Sequence, residues 1–182
     1  MDEDRLLVER CLQGDEGAFA ELFRRHEASA VRLAYALVGD RSAAEDVKQD
    51  AFLRTFRSLD RLHADAPFSG WLSQNLVWAA RTLQRRGHWR HEVVGVGELH
   101  ADARADFERQ ELRATLVGAL QSLPLPAREV LALRYYFDLP EAEIARIVGC
   151  RPGTVKSRLS RALRALAISP AITGLKETSD VR

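Results

Sequence analysis

The chain has 182 residues, with 27 Lys or Arg against 26 Asp or Glu, and 46% of its residues are hydrophobic. This apolar share suits one or two folded domains with buried cores and excludes a disordered polymer. No apolar run approaches membrane-spanning length, and the acidic N-terminus lacks the basic and apolar regions of a signal peptide. These features predict a cytoplasmic protein without membrane insertion.

Cysteine and histidine usage argues against a disulfide framework and against a metal site. Cys11 and Cys150 are too few and too far apart in sequence for either. His88, His91 and His100 have no Cys or carboxylate at ligand spacing on a regular element. We therefore expect no metal and no cofactor.

Helical periodicity begins near the N-terminus. Residues 4–26 predict two short amphipathic helices that are broken at Gly14, with Asp15 as the N-cap of the second. A further helix is expected at about 27–38, ending at the turn signal of residues 39–40.

The next helix is predicted from Ala43 to about Leu59. Ser42 and Glu45 have the spacing of a capping box at its start. We expect its buried face to consist of Val47, Ala51, Phe52, Phe56 and Leu59.

An aromatic and basic helix follows a loop at 62–70. The helix is predicted over 71–86 and carries Trp71 and Trp78 close to several arginines. Such a stretch suits single-stranded nucleic acid, because rings stack on unpaired bases while guanidinium groups follow the backbone. The alternative is that both rings are core; this is favoured for Trp71, and Trp78 stays open between the two interpretations.

The pattern dissolves over residues 88–105, which predicts a flexible linker between two domains. Helical pattern resumes at about Asp106 and stops at residues 124–126. Its apolar face consists of Leu112, Leu116, Leu120 and Leu123.

A helix-turn-helix signature lies at 141–166. Pro140 suits the first turn of its first helix, Gly149 stands where a left-handed C-cap is wanted, and Pro152 can open the second helix. The apolar stripe of that second helix consists of Val155, Leu159, Ala162, Leu163 and Leu166.

The other face of the second helix is basic. From Arg151 to Leu166 there are five Lys or Arg and no acidic residue. A basic face can be merely solvated, but joined to a turn and a partner helix it indicates binding to DNA phosphates. We predict an all-α fold class, two small helical domains joined by a flexible linker, with domains at 1–87 and 106–168 and a polar tail at 169–182.

With these residues in hand, the sequence resembles bacterial RNA polymerase sigma factors of the sigma-70 family, of the small extracytoplasmic-function type. Residues 123–166, including the run GTVKSRL at 153–159, are similar to the fourth conserved region of the family. Residues 44–62, followed by a loop and Trp71-Leu72, are similar to its second conserved region. The resemblance implies a dissociable transcription initiation subunit that carries no catalytic centre of its own.

The resemblance also implies partners and contact residues. The partners are core RNA polymerase, through the coiled coil of its largest subunit and the flap of its second subunit, promoter DNA, and an anti-sigma factor. The implied polymerase-binding residues are Asp46, Gln49, Asp50, Phe52 and Arg54. The implied minus-10 DNA-binding residues are Leu62, His63, Phe68, Ser69, Trp71, Trp78 and Arg85. The implied minus-35 DNA-binding residues are Arg134, Lys156, Ser157, Ser160 and Arg161.

One departure from the family pattern concerns base capture. After Trp-Leu the family has an Ile-Ala pair, then Asn, then Asp, whereas this chain has Asn75-Leu76, Trp78 and Thr82. The resemblance implies that the Asn of the family helps to hold a flipped base. Trp78 either stacks where Asn would hydrogen-bond or turns inward.

Two other function classes compete with this interpretation. A free-standing helix-turn-helix regulator would bind duplex operator DNA without polymerase, but it would not need residues 43–86. An enzyme would need a catalytic nucleus, and Asp46 with Asp50, four residues apart on one helix, is the only obvious one. No His or Cys converges on these carboxylates in sequence, so a partner-facing acidic patch is favoured.

Overall fold

The computed structural model describes residues 3–62, 66–86, 114–170 and 172, and within these ranges it contains helices and no strand. The N-terminal domain consists of α1 (Glu3–Leu12), α2 (Glu16–Val38), α3 (Arg41–Arg57), a 3-10 turn (Leu59–Arg61) and α4 (Phe68–Arg85). The C-terminal domain consists of α5 (helical at 114–121), α6 (Leu125–Tyr136), α7 (Glu141–Val148) and α8 (Pro152–Ala167). The predicted all-α fold class in two helical domains is confirmed.

The second helix is longer than predicted. Asp15 caps it as expected, because its carboxylate accepts a hydrogen bond from the Ala18 amide at 3.1 Å. The helix then runs without interruption for 23 residues to Val38, so the expected boundary between residues 26 and 27 is wrong. Gly39 ends it in the left-handed conformation, with φ 76°, and donates its N–H to the Tyr35 carbonyl.

The cap of α3 is Asp40 and not Ser42. The Asp40 carboxylate accepts the Ala43 amide at 2.7 Å while its backbone is extended, with φ −120°. The helix therefore begins two residues earlier than the capping-box spacing predicts. Both Asp and Ser are good N-caps, and the left-handed turn at Gly39 delivers Asp40 to the cap position first.

The core of the N-terminal domain confirms most of the predicted α3 face. Val47, Ala51, Phe52 and Leu59 are buried. Phe56 is half exposed, although its ring centroid lies 4.5 Å from that of Phe19. The expectation that Phe56 belongs to the core is therefore wrong, because the ring lies at the rim of the α2–α3 contact.

The turn of the helix-turn-helix forms as predicted. Gly149 is left-handed, with φ 73°, and donates to the Ala145 carbonyl at 3.0 Å. Pro152 is the first residue of α8, whereas Pro140 is the N-cap of α7 rather than part of its first turn.

The predicted apolar stripes of the C-terminal domain are narrower than expected. In α8, Val155, Leu159 and Ala162 are buried, but Leu163 is 43% exposed. Leu116 on α5 is exposed in the same way, and Leu112 lies outside the described residues. Short helices in a small domain bury only the part of the stripe that has a neighbour.

Candidate protein and nucleic-acid interfaces

The outer face of α3 presents acidic and apolar side chains together. Asp46, Gln49 and Asp50 are exposed, and Leu53 follows them on the same face with 53% of its surface exposed. Arg57 closes this row, which we call the α3 stripe. Sequence reasoning missed Leu53, and the available signal was an apolar residue on an otherwise polar helix face.

Two residues assigned to this face lie elsewhere. Phe52 is 3% exposed, and its ring centroid lies 4.4 Å from that of Phe23, so it supports α3 from the core. Arg54 turns towards α4 and places its guanidinium carbon 3.3 Å from the ring centroid of Trp78. Position 52 lies on another face of α3 than 46, 49, 50 and 53. Position 54 is one turn after Asp50, and the contact of its side chain with Trp78 draws it away from this face.

A buried polar contact sets the register of α3 against α4. The Asn75 amide donates to the Thr55 hydroxyl at 3.0 Å and to the Trp71 carbonyl at 3.1 Å. Thr55 is fully buried, so this hydrogen bond is made away from water. Asn75, one of the departures from the family pattern, therefore holds the two helices in the position that brings Arg54 onto Trp78.

The ring of Trp78, which we call the Trp78 platform, is partly exposed and partly covered by an arginine. Its side chain is 38% exposed, and the Arg54 guanidinium covers part of one ring face. The buried Nε of Arg54 and the buried Nε1 of Trp71 have no hydrogen-bond partner in the structure. Trp71 is half buried, so the core interpretation is only partly correct for it, whereas Trp78 belongs to the surface.

The segment before α4 contributes less surface than expected. Phe68 is the first residue of α4 and is buried in the core, with its ring centroid 5.0 Å from the His26 ring, and its assignment to a DNA contact stays a prediction. Leu62 and Ser69 are half buried, and His63 lies outside the described residues. Arg85 is exposed and donates to the Thr82 hydroxyl at 3.0 Å.

The basic face of α8 is open to solvent. Lys156, Ser157, Ser160 and Arg161 are all exposed. Arg161 donates Nε to the Ser157 carbonyl at 3.2 Å, and Ser157 donates its hydroxyl to the Thr154 carbonyl at 3.0 Å. These contacts lie within the helix itself, which leaves the outer face available to a ligand.

Arg134 is engaged in the turn between α6 and α7. Its Nη1 donates to the Leu139 carbonyl at 3.0 Å and lies 3.6 Å from the Asp138 carboxylate. Asp138 has a positive φ of 47°, a conformation that Asp tolerates better than most residues. Arg134 thus fixes this turn, and its side chain remains 42% exposed at the surface.

The part of the chain that the structure describes contains no candidate metal site. Within it, no three His, Cys, Asp or Glu side chains are grouped so that they could hold a metal ion. The histidines at 88, 91 and 100, which the sequence argues against as metal ligands, lie outside the described residues. Cys11 and Cys150 are both free thiols. None of the described helices is long and apolar enough to cross a membrane.

Both domains match models of known protein families, and the two matches follow each other along the chain. Residues 22–91 match the family model "Sigma-70 region 2" and residues 113–166 match "Sigma-70, region 4". The RNA polymerase sigma-H factor of Pseudomonas aeruginosa is 32% identical, over 94% of this chain and 96% of that protein. The ECF RNA polymerase sigma-E factor of Escherichia coli is also 32% identical, over 90% of this chain and 92% of that protein.

Solved structures agree with this assignment. CnrH, in complex with the cytosolic domain of CnrY, has a TM-score of 0.69 and 26% identity, covering 91% of this chain and 96% of that one. The sigma factor RpoE of Bartonella quintana, in complex with the anti-sigma factor NepR, has a TM-score of 0.68 at 22% identity, covering 82% of this chain and 94% of that one, and so supports the fold alone. The chain belongs to the sigma-70 family of RNA polymerase sigma factors, in its extracytoplasmic-function group.

Proposed function

We propose that this chain binds core RNA polymerase in the cytoplasm and directs it to specific promoters, without a catalytic centre of its own. The observation that carries the proposal is the ordered match of regions 2 and 4 over a chain whose two domains expose surfaces of opposite charge. One surface suits a protein partner and the other suits DNA.

The α3 stripe is the surface proposed for the coiled coil of the largest polymerase subunit. Asp46 and Asp50 precede the exposed Leu53 on the same face, so the stripe combines charge with an apolar anchor. Exposed apolar surface beside polar groups is typical of a protein-interaction site. Arg54 takes no part in this surface, because its guanidinium lies on Trp78.

The Trp78 platform is proposed to receive an unpaired base of the minus-10 element. The ring is 38% exposed beside the guanidinium that covers part of it, and this exposed aromatic surface can stack a base. The unpartnered Arg54 Nε is a donor beside this ring. Stacking accepts any base, so Trp78 supplies affinity for the open strand with little discrimination between bases.

Helix α8 is proposed to lie in the major groove of the minus-35 element. Lys156 and Arg161 are suited to guanine edges, and the hydroxyls of Ser157 and Ser160 can serve several bases. Arg134 is proposed to hold the turn between α6 and α7 against the DNA backbone, which agrees with its hydrogen bond to the Leu139 carbonyl.

We propose two further partners: the polymerase flap for the C-terminal domain, and an anti-sigma factor for the whole chain. Tyr135 and Ile168 give the C-terminal domain exposed apolar surface for the polymerase flap. An anti-sigma factor is proposed as a further partner, and a protein partner of this kind is supported by the similar structure of CnrH, which was solved in complex with the cytosolic domain of CnrY.

The proposal is tested by adding the purified chain to core RNA polymerase from a bacterium. We expect the two to co-elute in gel filtration and to initiate transcripts at a subset of genomic promoters, and neither component alone to do so. Tight operator binding by the chain alone, together with failure to join polymerase, would instead identify a free-standing regulator.

A further inference from the structure

A buried hydrogen bond between two side chains lies behind the Trp78 platform. The Asn75 amide nitrogen on α4 donates to the Thr55 hydroxyl on α3 at 3.0 Å and to the Trp71 carbonyl of its own helix at 3.1 Å. Thr55 is fully buried, and Asn75 is 9% exposed. The two polar groups therefore satisfy each other away from water, at the contact between two helices.

This pair constrains the position of α4 more strongly than the apolar side chains around it do. Most of the other buried residues of the two helices are apolar, such as Ala51 on α3 and Leu72 and Leu76 on α4. Apolar burial is non-directional, whereas a hydrogen bond has a narrow range of distance and angle. A slide of α4 by one turn, about 5.4 Å, would separate Thr55 from Asn75 and leave two buried polar groups short of a partner. The pair therefore selects one register of α3 against α4.

The platform lies one turn further along α4. Trp78 follows Asn75 by three residues, and Arg54 directly precedes Thr55, so the two contacts between α3 and α4 are neighbours. The Arg54 guanidinium carbon lies 3.3 Å from the centroid of the Trp78 ring. A cation–ring contact needs a separation within about 6 Å, so this one depends on the register of the two helices.

The stacked position of Arg54 depends on its backbone. Its Nε is buried and has no hydrogen-bond partner among the described residues. Ordering a long side chain costs conformational entropy, so the stack forms only where the backbone of α3 already brings Arg54 close to the ring. The register that Thr55 and Asn75 select supplies this closeness.

We propose that Thr55 and Asn75 are positioning residues for the capture of an unpaired base. Their buried hydrogen bond sets the register that forms the Arg54–Trp78 stack, and it acts on DNA through that stack alone. For this consequence the proposal rests on the function proposed above for the Trp78 platform. The α3 stripe is exposed on another face of α3, so polymerase binding does not depend on the pair.

A double variant separates register from stability. Thr55→Val with Asn75→Leu replaces both partners by apolar side chains of similar size, so no buried polar group is left unpaired and the chain should fold. We expect it to bind core polymerase with unchanged affinity and to form open promoter complexes about threefold to tenfold less well, which is part of the loss expected on removal of the Trp78 ring. Thr55→Ala is a second route to the same loss. Thr55→Ser, which keeps the hydroxyl, should open promoters like the wild type.

The loss should disappear where the platform is absent. In a Trp78→Ala background, the double variant should open promoters as well as Trp78→Ala alone, because effects that pass through one group do not add. A role in stability without positioning would instead lower opening by the same factor in both backgrounds. Ser73→Ala is the matched control, since Ser73 is also buried on α4 but donates its hydroxyl to the Ser69 carbonyl of its own helix at 2.7 Å.

Fluorescence of the free chain tests the register without polymerase. The chain has three tryptophans, and Trp71→Phe with Trp89→Phe leaves Trp78 as the only indole. In this background, Arg54→Ala uncovers the ring and sets the upper value for quenching by acrylamide. We expect the double variant to approach this upper value and Ser73→Ala to keep the value of the parent.

The outcomes separate the two proposals. Wild-type opening by the double variant, or an equal loss with and without Trp78, would overturn the positioning role, and so would quenching that the double variant leaves unchanged. Normal opening by Trp78→Ala would instead remove base capture as the function of the platform. The quenching result would then still decide whether Thr55 and Asn75 place Arg54 on the ring.

Discussion

Helices α3 and α8 have the same inner chemistry and opposite outer chemistry. Both bury a narrow apolar stripe against neighbouring helices, with Val47 and Ala51 on α3 and Val155 and Leu159 on α8. On the outside, α3 shows carboxylates around Leu53, whereas α8 shows Lys156 and Arg161 with no acidic residue. The inner faces are sufficient to explain the fold, so the outer faces carry the information about partners: a protein for α3 and phosphate for α8.

The largest effect is expected from a charge placed in the middle of the α3 stripe. Leu53→Asp should weaken binding to core polymerase by about 2–4 kcal/mol, because the apolar anchor is replaced by a carboxylate that must be desolvated. Titration of labelled core polymerase measures the loss. Leu12→Asp is the control, since Leu12 is equally exposed on α1; an equal loss in both variants would show that α3 has no special role.

Removal of the aromatic platform should impair strand opening and leave polymerase binding intact. Trp78→Ala is expected to cost about 1–3 kcal/mol in open-complex formation, the usual range for the loss of one stacked base. Trp78→Phe should retain most of the activity because it keeps a ring. Permanganate footprinting of the melted strand reports the effect, and an alanine variant that opens promoters normally would refute the assignment.

On α8, the comparison predicts a change in sequence preference rather than in overall binding. Arg161→Ala should shift preference at one minus-35 position by roughly 1–3 kcal/mol, because a guanidinium contact to a base edge is lost. Arg164→Ala, an exposed arginine on the same helix, is the matched variant and should leave preference unaltered. A loss of equal size across all promoter variants after the Arg161 change would indicate phosphate contact alone.

The smallest effect is expected from the loss of the N-cap of α3. Asp40→Ala should lower the stability of the chain by about 1 kcal/mol, because the Ala43 amide loses its acceptor. For a chain of this size the melting temperature should fall by about 2–4 °C. Ser42→Ala should leave the melting temperature within error, although its sequence spacing resembles a cap; a larger fall for Ser42 than for Asp40 would contradict the structure.

Local signals were sufficient to predict most helix ends. Gly149 and Pro152 mark the turn of the helix-turn-helix because their backbone preferences allow few alternatives. At the start of α3 two good caps stand two residues apart, and local sequence cannot decide between Asp40 and Ser42. The boundary expected within α2 failed because two amphipathic patterns joined end to end cannot be distinguished from one long helix by periodicity alone.

The contacts between helices could not be predicted in this way. Arg81 and Glu129 are 48 positions apart, and nothing in either local pattern indicates that they pair. The contact of Arg54 with Trp78 depends on the register that Asn75 and Thr55 set between α3 and α4. Phe52 and Phe68 were assigned to surfaces by resemblance to the family, but packing against Phe23 and His26 places both in the core.

Transcription from a randomised promoter library by core polymerase with this chain tests directly whether the two domains read two promoter elements. We expect sequencing of the transcripts to recover two elements at a fixed spacing, and Arg161→Ala to alter only the upstream element. A single or palindromic element, bound equally well without polymerase, would contradict it.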